Sequence, residues 1–422
     1  MTLIATASFF ALVTVGLPVA FVLLVISIMF VLNDPAMLPI IHVQRIISGT
    51  QSFPLLAIPL FILVGELANL SGVSRQVMGF ASLATRPLYG GLAQANIVIS
   101  TLMSGMSGSA LGDTAMNAKI LVPSMRRNGY PDGFSAAVTA ASSLIAPMIP
   151  PGIGMILFGF VCDISVGRLF AGGVIPGAIM AVALMAVTSY VSRVRGYEPP
   201  QKRAPTADLL RAAVGIIPAL VMPVIIVAGI RGGVFTPSES AAVAVVYVAF
   251  LCVIYRQAKF ADYVKALRST ATTTSVIMLV LAASAGLGWI LTFEQIPQKV
   301  GAGLLGVTQD PLLLLLIIGG LLLVCGMFIE GTPLILIFGP MFLPAVVTAG
   351  IDPVHYGVFF VFVVHLGGIT PPVGTIMFTA CAVIGVPIST FAKAVLPYIG
   401  VLLGIAVAIA AFPPLSTWLA YL

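Results

Sequence analysis

Two proline pairs interrupt otherwise apolar runs, at Ala146-Pro147-Met148-Ile149-Pro150-Pro151 and at Gly367-Gly368-Ile369-Thr370-Pro371-Pro372. Proline has no N–H and displaces the carbonyl about four residues back, so each pair frees several backbone C=O groups from helical bonding. In a medium of low dielectric such carbonyls can coordinate a small hard cation such as Na⁺. The competing reading is a packing kink whose carbonyls are bonded by neighbouring Ser or Thr side chains. Two breaks at equivalent positions favour the cation cradle.

Two further polar interruptions read Ser104-Gly105-Met106-Ser107-Gly108-Ser109-Ala110-Leu111-Gly112-Asp113 and Cys325-Gly326-Met327-Phe328-Ile329-Glu330-Gly331-Thr332-Pro333. The spacing of Gly108 and Gly112 suits close helix packing, which does not account for the hydroxyls and the carboxylate. Asp113 begins a second apolar arm, so it suits a helix cap, a contact in a substrate or ion path, or both. Glu330 either bonds the amide of Gly331 or Thr332 or serves as a functional carboxylate at membrane depth. His365, ahead of the second proline pair, is expected to be structural rather than a ligand or proton relay. Arg231 and Glu239, in RGGVFTPSESAAVAV, mark a turn and the next helix, with Pro237 in its first turn.

The elements that must position these groups follow from composition. Of 422 residues, 8% are charged and 60% hydrophobic, and mean hydropathy is +1.16. Soluble domains clothe their cores with about 25% charged residues, so cytosolic enzymes, nucleic-acid binders and disordered scaffolds are poor readings of this chain. A bilayer core of about 30 Å takes about 20 helical residues. Runs of that order lie near 3–32, 52–72, 133–160, 168–192, 212–231, 235–255, 269–292, 353–380 and 388–412. The regions at about 92–126 and 310–349 are instead two short arms around a polar break. Such a break cannot face lipid, where each unpaired backbone group costs several kcal/mol, so both are expected to be re-entrant hairpins with buried tips. The first run stays apolar too long and lacks the basic start of a cleaved signal, and is read as a retained membrane helix.

The net charge of +6 comes from 19 scattered basic residues, which read as topology signals rather than an acidic-partner patch. The two most basic connections, VSRVRGYEPPQKRAPTADLLR and YRQAKFADYVKALR, are separated by two spans and can both be cytoplasmic. Propagated along the chain, that choice puts Arg75, Arg86, Arg126, Arg127 and Lys393 inside and leaves Arg45, Arg168, Arg231 and Lys299 outside. The N-terminus is then cytoplasmic and the C-terminus external. Cys162, Cys252, Cys325 and Cys381 stand singly in apolar stretches and read as packing residues. No Walker A, HExxH or GxSxG pattern occurs, so ATP-driven pumping is excluded and no catalytic residue is assigned.

Shifting the chain by 221 positions superposes Pro123 on Pro344, Gly129 on Gly350 and Pro150-Pro151 on Pro371-Pro372. In the charge-derived topology the two copies enter from opposite sides, an inverted repeat of the kind that places a transport site at the midplane. The expected fold class is an all-α polytopic membrane protein, an inverted-repeat elevator-type transporter with two re-entrant hairpins and two broken helices. Residues 1–192 form the first repeat, 193–211 a cytoplasmic linker and 212–422 the second repeat. Residues about 52–160 and 269–380 form the transport domain, and the remainder a scaffold.

The strings SGSALGDTAMNAKILVPSMRRNGYPDGFSAAVTAASSLIAPMIPPG, RGGVFTPSESAAVAVVY and GIDPVHYGVFFVFVVHLGGITPPVGTIMF resemble the large membrane subunit of tripartite ATP-independent periplasmic (TRAP) transporters, the DctM-like family. The resemblance runs over essentially the whole chain. It implies Na⁺-coupled import of a small organic acid, such as a C4-dicarboxylate or sialic acid, across the bacterial inner membrane by an elevator motion. It further implies two partners, a small four-helix membrane subunit on a separate chain and a periplasmic binding protein that delivers the substrate. Carried over by motif, one sodium site falls on Ser104 with main-chain carbonyls around Ala146, Ile149 and Pro151, and the other on Gly326, Gly367, Thr370 and Val373. Substrate would lie near Ser107, Ser109, Asp113, Glu330 and Thr332. This sequence has Ala146 where the family often has Gly, Glu330 where Asp is common, and His365 where Asn precedes the second break. A stand-alone Na⁺ or H⁺ carboxylate symporter shares the architecture without the partners. An intramembrane enzyme or structural scaffold would need no pair of mirrored cradles.

Overall fold

A computed structural model of the chain describes residues 8, 9, 11, 12, 15–255 and 258–422. Among these the regular structure is entirely helical. Among the described residues, six helices are long and apolar enough to cross a membrane unaided: Phe53–Leu70, Val166–Arg195, Pro237–Tyr255, Phe260–Phe293, Gly331–Thr348 and Ile388–Ala411. Thr206–Gly215 and Ile217–Arg231, bent by 44°, make a seventh when taken together. The nine expected spans are therefore not nine continuous helices. Two are split, into Asp132–Ser143 with Ile153–Val161 and Pro353–Ile369 with Thr375–Ile384. In the first, expected over 3–32, the described residues 8, 9, 11 and 12 are helical, and a second helix runs over Val19–Asn33 after the left-handed Gly16, with Pro18 as its N-cap. Gly331–Thr348 has the length of a span but is one arm of a hairpin.

Both hairpins are present. The first pairs Gly91–Ser107 with Ala110–Arg127, and the second pairs Pro311–Gly326 with Gly331–Thr348. The two returning arms are 18 residues each and begin 221 positions apart, at Ala110 and Gly331; the helices that follow begin at Asp132 and Pro353, the same offset. The repeat read from prolines thus extends to the helix boundaries. Each hairpin packs on the first half of its own repeat's broken helix and on the second half of the other's: Ala110–Arg127 lies against Thr375–Ile384, and Gly331–Thr348 against Ile153–Val161. The repeats interlock through this exchange, and one buried core runs through all four elements.

The structure adds elements that hydropathy hides. Val73–Thr85 leads into the first hairpin and buries Val73, Val77, Ala81 and Thr85, a stripe of every fourth residue that a window average dilutes. Ile296–Val307 leads into the second hairpin in the same way. The basic segment expected to be a connection is helical from Phe260 onward, started by the Asp262 carboxylate accepting from the Lys259 N–H at 2.9 Å. A smaller core joins Val22, Ile26 and Phe30 to Ala283, Leu287 and Ile290.

The linker is stapled to the base of the first hairpin. Glu198 accepts from the Leu92 N–H at 2.9 Å and from the Tyr130 hydroxyl, while its own carbonyl accepts from the Gly90 N–H at 3.0 Å. Burial first, then the Glu198 carboxylate, pushes the Tyr130 phenol well above its ordinary range, so it remains a donor at any physiological pH. Glu198→Ala strands both donors. At about 1–3 kcal/mol for a buried polar group left unpaired, thermal unfolding of the purified protein should show a lowered midpoint; an unchanged midpoint would refute the staple.

Candidate functional site

The first tip is made by Gly108, which takes φ +60° to end the leading arm, and by Ser109, whose hydroxyl accepts from the Gly112 N–H at 3.3 Å to cap the returning arm. Ser109 is therefore the cap, and Asp113 lies one turn inside, where the Ser107 hydroxyl donates to its carboxylate across the tip. Asp113 is fully buried, and its second oxygen has no partner among the described residues. The tip docks on the first break through the Ile153 N–H donating to the Gly108 carbonyl at 3.2 Å.

That break spans Leu144 to Gly152. Among the described residues, the carbonyls of Ala146, Met148, Ile149, Pro150 and Pro151 accept no protein hydrogen bond. The kink reading, in which Ser or Thr would satisfy them, does not hold here: Ser142 and Ser143 turn their hydroxyls back to Thr139 and Ala140. Asn96 pairs with Thr139 and Ser100 with Ser142, so the leading arm lies along the first half of the broken helix. Ser104 is fully buried and donates to the Thr101 carbonyl, leaving its oxygen lone pairs free.

At the second break, the backbones of Gly326 and Gly367 touch: a Cβ on Gly367 would stand 2.7 Å from the Gly326 Cα. No other residue fits that approach. The Thr370 hydroxyl donates to the Leu366 carbonyl at 2.8 Å, so here a threonine does satisfy one freed group. Among the described residues, the carbonyls of Ile369, Thr370, Pro371, Pro372 and Val373 still accept none. Both breaks contain a cis peptide, Pro150-Pro151 and Pro371-Pro372. The donor set at each is hard oxygen, suited to an alkali cation. No cluster of three or more His, Cys, Asp or Glu suited to a transition metal occurs among the described residues.

Glu330 caps the returning arm of the second hairpin, accepting from the Thr332 N–H at 2.9 Å and its hydroxyl at 3.1 Å. The two tips are linked by a short bridge. Ile153, bonded to the first tip, precedes Gly154, where a Cβ would meet His365 Cε1 at 3.1 Å; His365 Nε2 in turn faces Gly331, beside Glu330, with 3.6 Å to a Cβ built there. His365 donates from Nδ1 to the Val361 carbonyl at 2.7 Å, because a carbonyl can only accept. The histidine expected to be structural is anchored like one, yet its free nitrogen faces the second tip. Ser107, Asp113, Glu330 and Thr332 are thus gathered at the two ends of one bridge.

The environments of the tips differ. The first packs on two neighbouring helices: a Cβ on Gly65, in Ala57–Leu70, would meet Ser107 Cα at 3.3 Å, and one on Gly105 would meet Cγ of Pro223, in Ile217–Arg231, at 2.2 Å. At the second, Phe328 and Pro372 are exposed. Sequence reasoning passed over Gly65, Pro223 and Gly154. It also missed the buried seam of Asn96, Ser100, Asn117 and Thr139, although polar residues four apart in an apolar hairpin were a usable signal.

An all-helical membrane chain with paired hairpins and paired broken helices belongs to the class of membrane transport proteins with internal repeats. Residues 6–415 match the family model described as tripartite ATP-independent periplasmic transporter, DctM component. The chain is 36% identical over 399 residues to the sialic acid TRAP transporter large permease protein SiaM of Vibrio cholerae, covering 94% of this chain and 93% of that protein. It is 34% identical over 400 residues to the isethionate TRAP transporter permease protein DctMQ of Oleidesulfovibrio alaskensis, covering 94% of this chain and 63% of that one. Among solved structures, the Alcanivorax borkumensis YdaH transporter is similar in fold, with a TM-score of 0.65 at 15% identity, over 94% of this chain and 98% of that chain. The chain belongs to the DctM family, the large membrane component of TRAP transporters.

Proposed function

We propose that this chain is the permease of a sodium-coupled importer for a small organic acid, working across the bacterial inner membrane. The observation that carries the reading is the pair of breaks whose carbonyls lack protein partners, each pressed against a hairpin tip that carries hydroxyls and a carboxylate. In this reading Ser104, Ala146, Ile149 and Pro151 hold one Na⁺, and Gly326, Gly367, Thr370 and Val373 hold the other. The cations draw each tip onto its break and so organise Ser107, Ser109, Asp113, Glu330 and Thr332 around the substrate; coupling follows because substrate affinity then differs between the loaded and empty states. The cations also offset the charge of Asp113 and Glu330, which an anionic substrate otherwise meets as repulsion.

Residues 52–160 and 269–380 move as the transport domain in an elevator motion against the remaining helices, with the N-terminus cytoplasmic and the C-terminus periplasmic. A periplasmic binding protein delivers the acid, as the family implies, and the small membrane subunit is a separate chain. The isethionate relative extends well beyond the region matched here, so the permease region is not always a chain of its own.

Uptake into proteoliposomes tests the reading, using this chain with a small membrane subunit, with and without an inward Na⁺ gradient and a loaded binding protein. Uptake is expected only when both are supplied. Uptake by the chain alone would favour a stand-alone symporter, and uptake indifferent to Na⁺ would overturn the coupling.

A further inference from the structure

Away from the tips, a cavity of about 380 Å³ opens where Asp132–Ser143 meets Ile388–Ala411 and the end of Val166–Arg195. Arg195 and Lys393 line it together with Tyr197, Phe134, Ser389 and Thr390. Neither cation has an acidic partner among the described residues. The acids nearest in sequence are already engaged: Asp132 is held by Arg126, and Glu198 by Tyr130 and Leu92. The N-termini of Asp132–Ser143 and Ile388–Ala411 and the C-terminus of Val166–Arg195 meet at these walls, so the helix-end partial charges oppose one another and the two side-chain cations set the field.

The internal repeat supplies an independent comparison. The position 221 residues from Arg195 is Ser416, and that of Lys393 is Gly172. At this second corner a cavity of about 340 Å³ lies beside Arg168, Arg231 and Tyr421, but the positions equivalent to Arg195 and Lys393 are packed against each other: a Cβ on Gly172 would lie 2.5 Å from the Ser416 carbonyl, and Ser416 bonds His355 at 2.7 Å. The Tyr421 hydroxyl donates to Asp352 at 2.7 Å, and Arg168 lies over the Tyr421 ring at 5.0 Å. The helix Pro414–Tyr421 therefore supplies the polar groups of the second corner with partners from within the chain. In the first repeat the corresponding corner is an open cavity with two unpaired cations.

We propose that this cavity binds a phosphate group, that of an anionic phospholipid headgroup, clasped by Arg195 and Lys393 where Asp132–Ser143, Val166–Arg195 and Ile388–Ala411 meet. A guanidinium, an ammonium and two hydroxyls lining one cavity suit a phosphate, and the Phe134 and Tyr197 rings, 5.0 Å apart, offer an apolar wall to the glycerol and upper acyl chain. That the leaflet is the cytoplasmic one rests on the orientation proposed above; binding itself does not.

The test uses the full-length purified chain in detergent, with thermal unfolding read against dioleoylphosphatidylglycerol, dioleoylphosphatidylcholine or inorganic phosphate. The glycerol lipid should raise the midpoint more than the choline lipid. In R195Q/K393Q its half-saturating concentration should rise about thirtyfold, as loss of two basic contacts to an anionic headgroup predicts. K202Q/R203Q, which removes two exposed linker cations, should stay within about twofold of the original. A phosphate response lost in R195Q/K393Q would uphold the cavity and name free phosphate as its ligand. An unaltered lipid response in R195Q/K393Q, equal losses in both double variants, or no response to any probe would overturn the proposal. If R195Q/K393Q does not fold, K393Q alone, at an exposed position, should show about a fivefold weakening. None of these readings depends on sodium or on transport, so failure here leaves the coupling proposal standing.

Discussion

Gly108→Ala is expected to reduce uptake at least about a hundredfold while leaving a folded protein. Gly108 holds φ +60°, which costs an L-residue about 1 kcal/mol. The larger effect is steric, since a Cβ there would stand 2.0 Å from the Pro151 carbonyl oxygen and 3.1 Å from its carbon. Both are main-chain atoms, so no rotamer change relieves the clash. The tip must withdraw, which breaks the Ile153 N–H bond to Gly108 and opens the proposed cation site at its most crowded wall. A loss of about 3 kcal/mol in the loaded state corresponds to the hundredfold figure. The control is Gly129→Ala, at φ +79° with nothing within 4 Å, which carries the backbone strain without the clash. Uptake assays on both variants at matched amounts of monodisperse protein decide the matter, and equal losses would sink the docking explanation.

The second large effect is expected at Thr370. Its hydroxyl donates to Leu366, so the oxygen lone pairs remain for a cation. Thr370→Val removes that oxygen at nearly constant shape, and a lost contact to a charged group costs about 1.5–3 kcal/mol. The Na⁺ concentration for half-maximal uptake should therefore rise about 10- to 100-fold, with the maximal rate at saturating Na⁺ little changed. Thr370→Ser should stay close to the original. A sodium titration of uptake reads the shift directly, and a valine variant with unaltered half-saturation would remove Thr370 from the cation site.

The outline of the fold was legible because lipid imposes it. Apolar runs, Gly- and Ser-rich interruptions and doubled prolines are consequences of backbone groups that must be bonded or buried. They located both hairpins and both broken helices, and the prolines gave the repeat offset that the returning arms follow. The amphipathic helix Val73–Thr85 was not legible, since its one-sided stripe averages to a polar window. The cap at the first tip was misplaced by four residues: Ser109 and Asp113 both suit helix starts, and only the turn at Gly108 decides between them. Contacts such as Gly105 on Pro223 or Gly154 on His365 join segments far apart in sequence, and no periodicity encodes them.

Phe260–Phe293 has 34 residues in one unbroken helix, and at 1.5 Å per residue it runs about 50 Å. The hydrocarbon layer is about 30 Å, and transmembrane helices tilt by no more than about 40°. A rod of that length cannot be hidden by tilting, so roughly two turns must stand clear in water. The basic stretch with Lys265 and Arg268 is the end that can do so. The stretch of the first repeat 221 positions earlier is divided into Pro39–Ser48 and Ala57–Leu70, with a joint between them. The two otherwise matched halves therefore differ mechanically: one carries a stiff beam anchored in two phases, the other a folding rule, and shape change between the repeats concentrates at the joint.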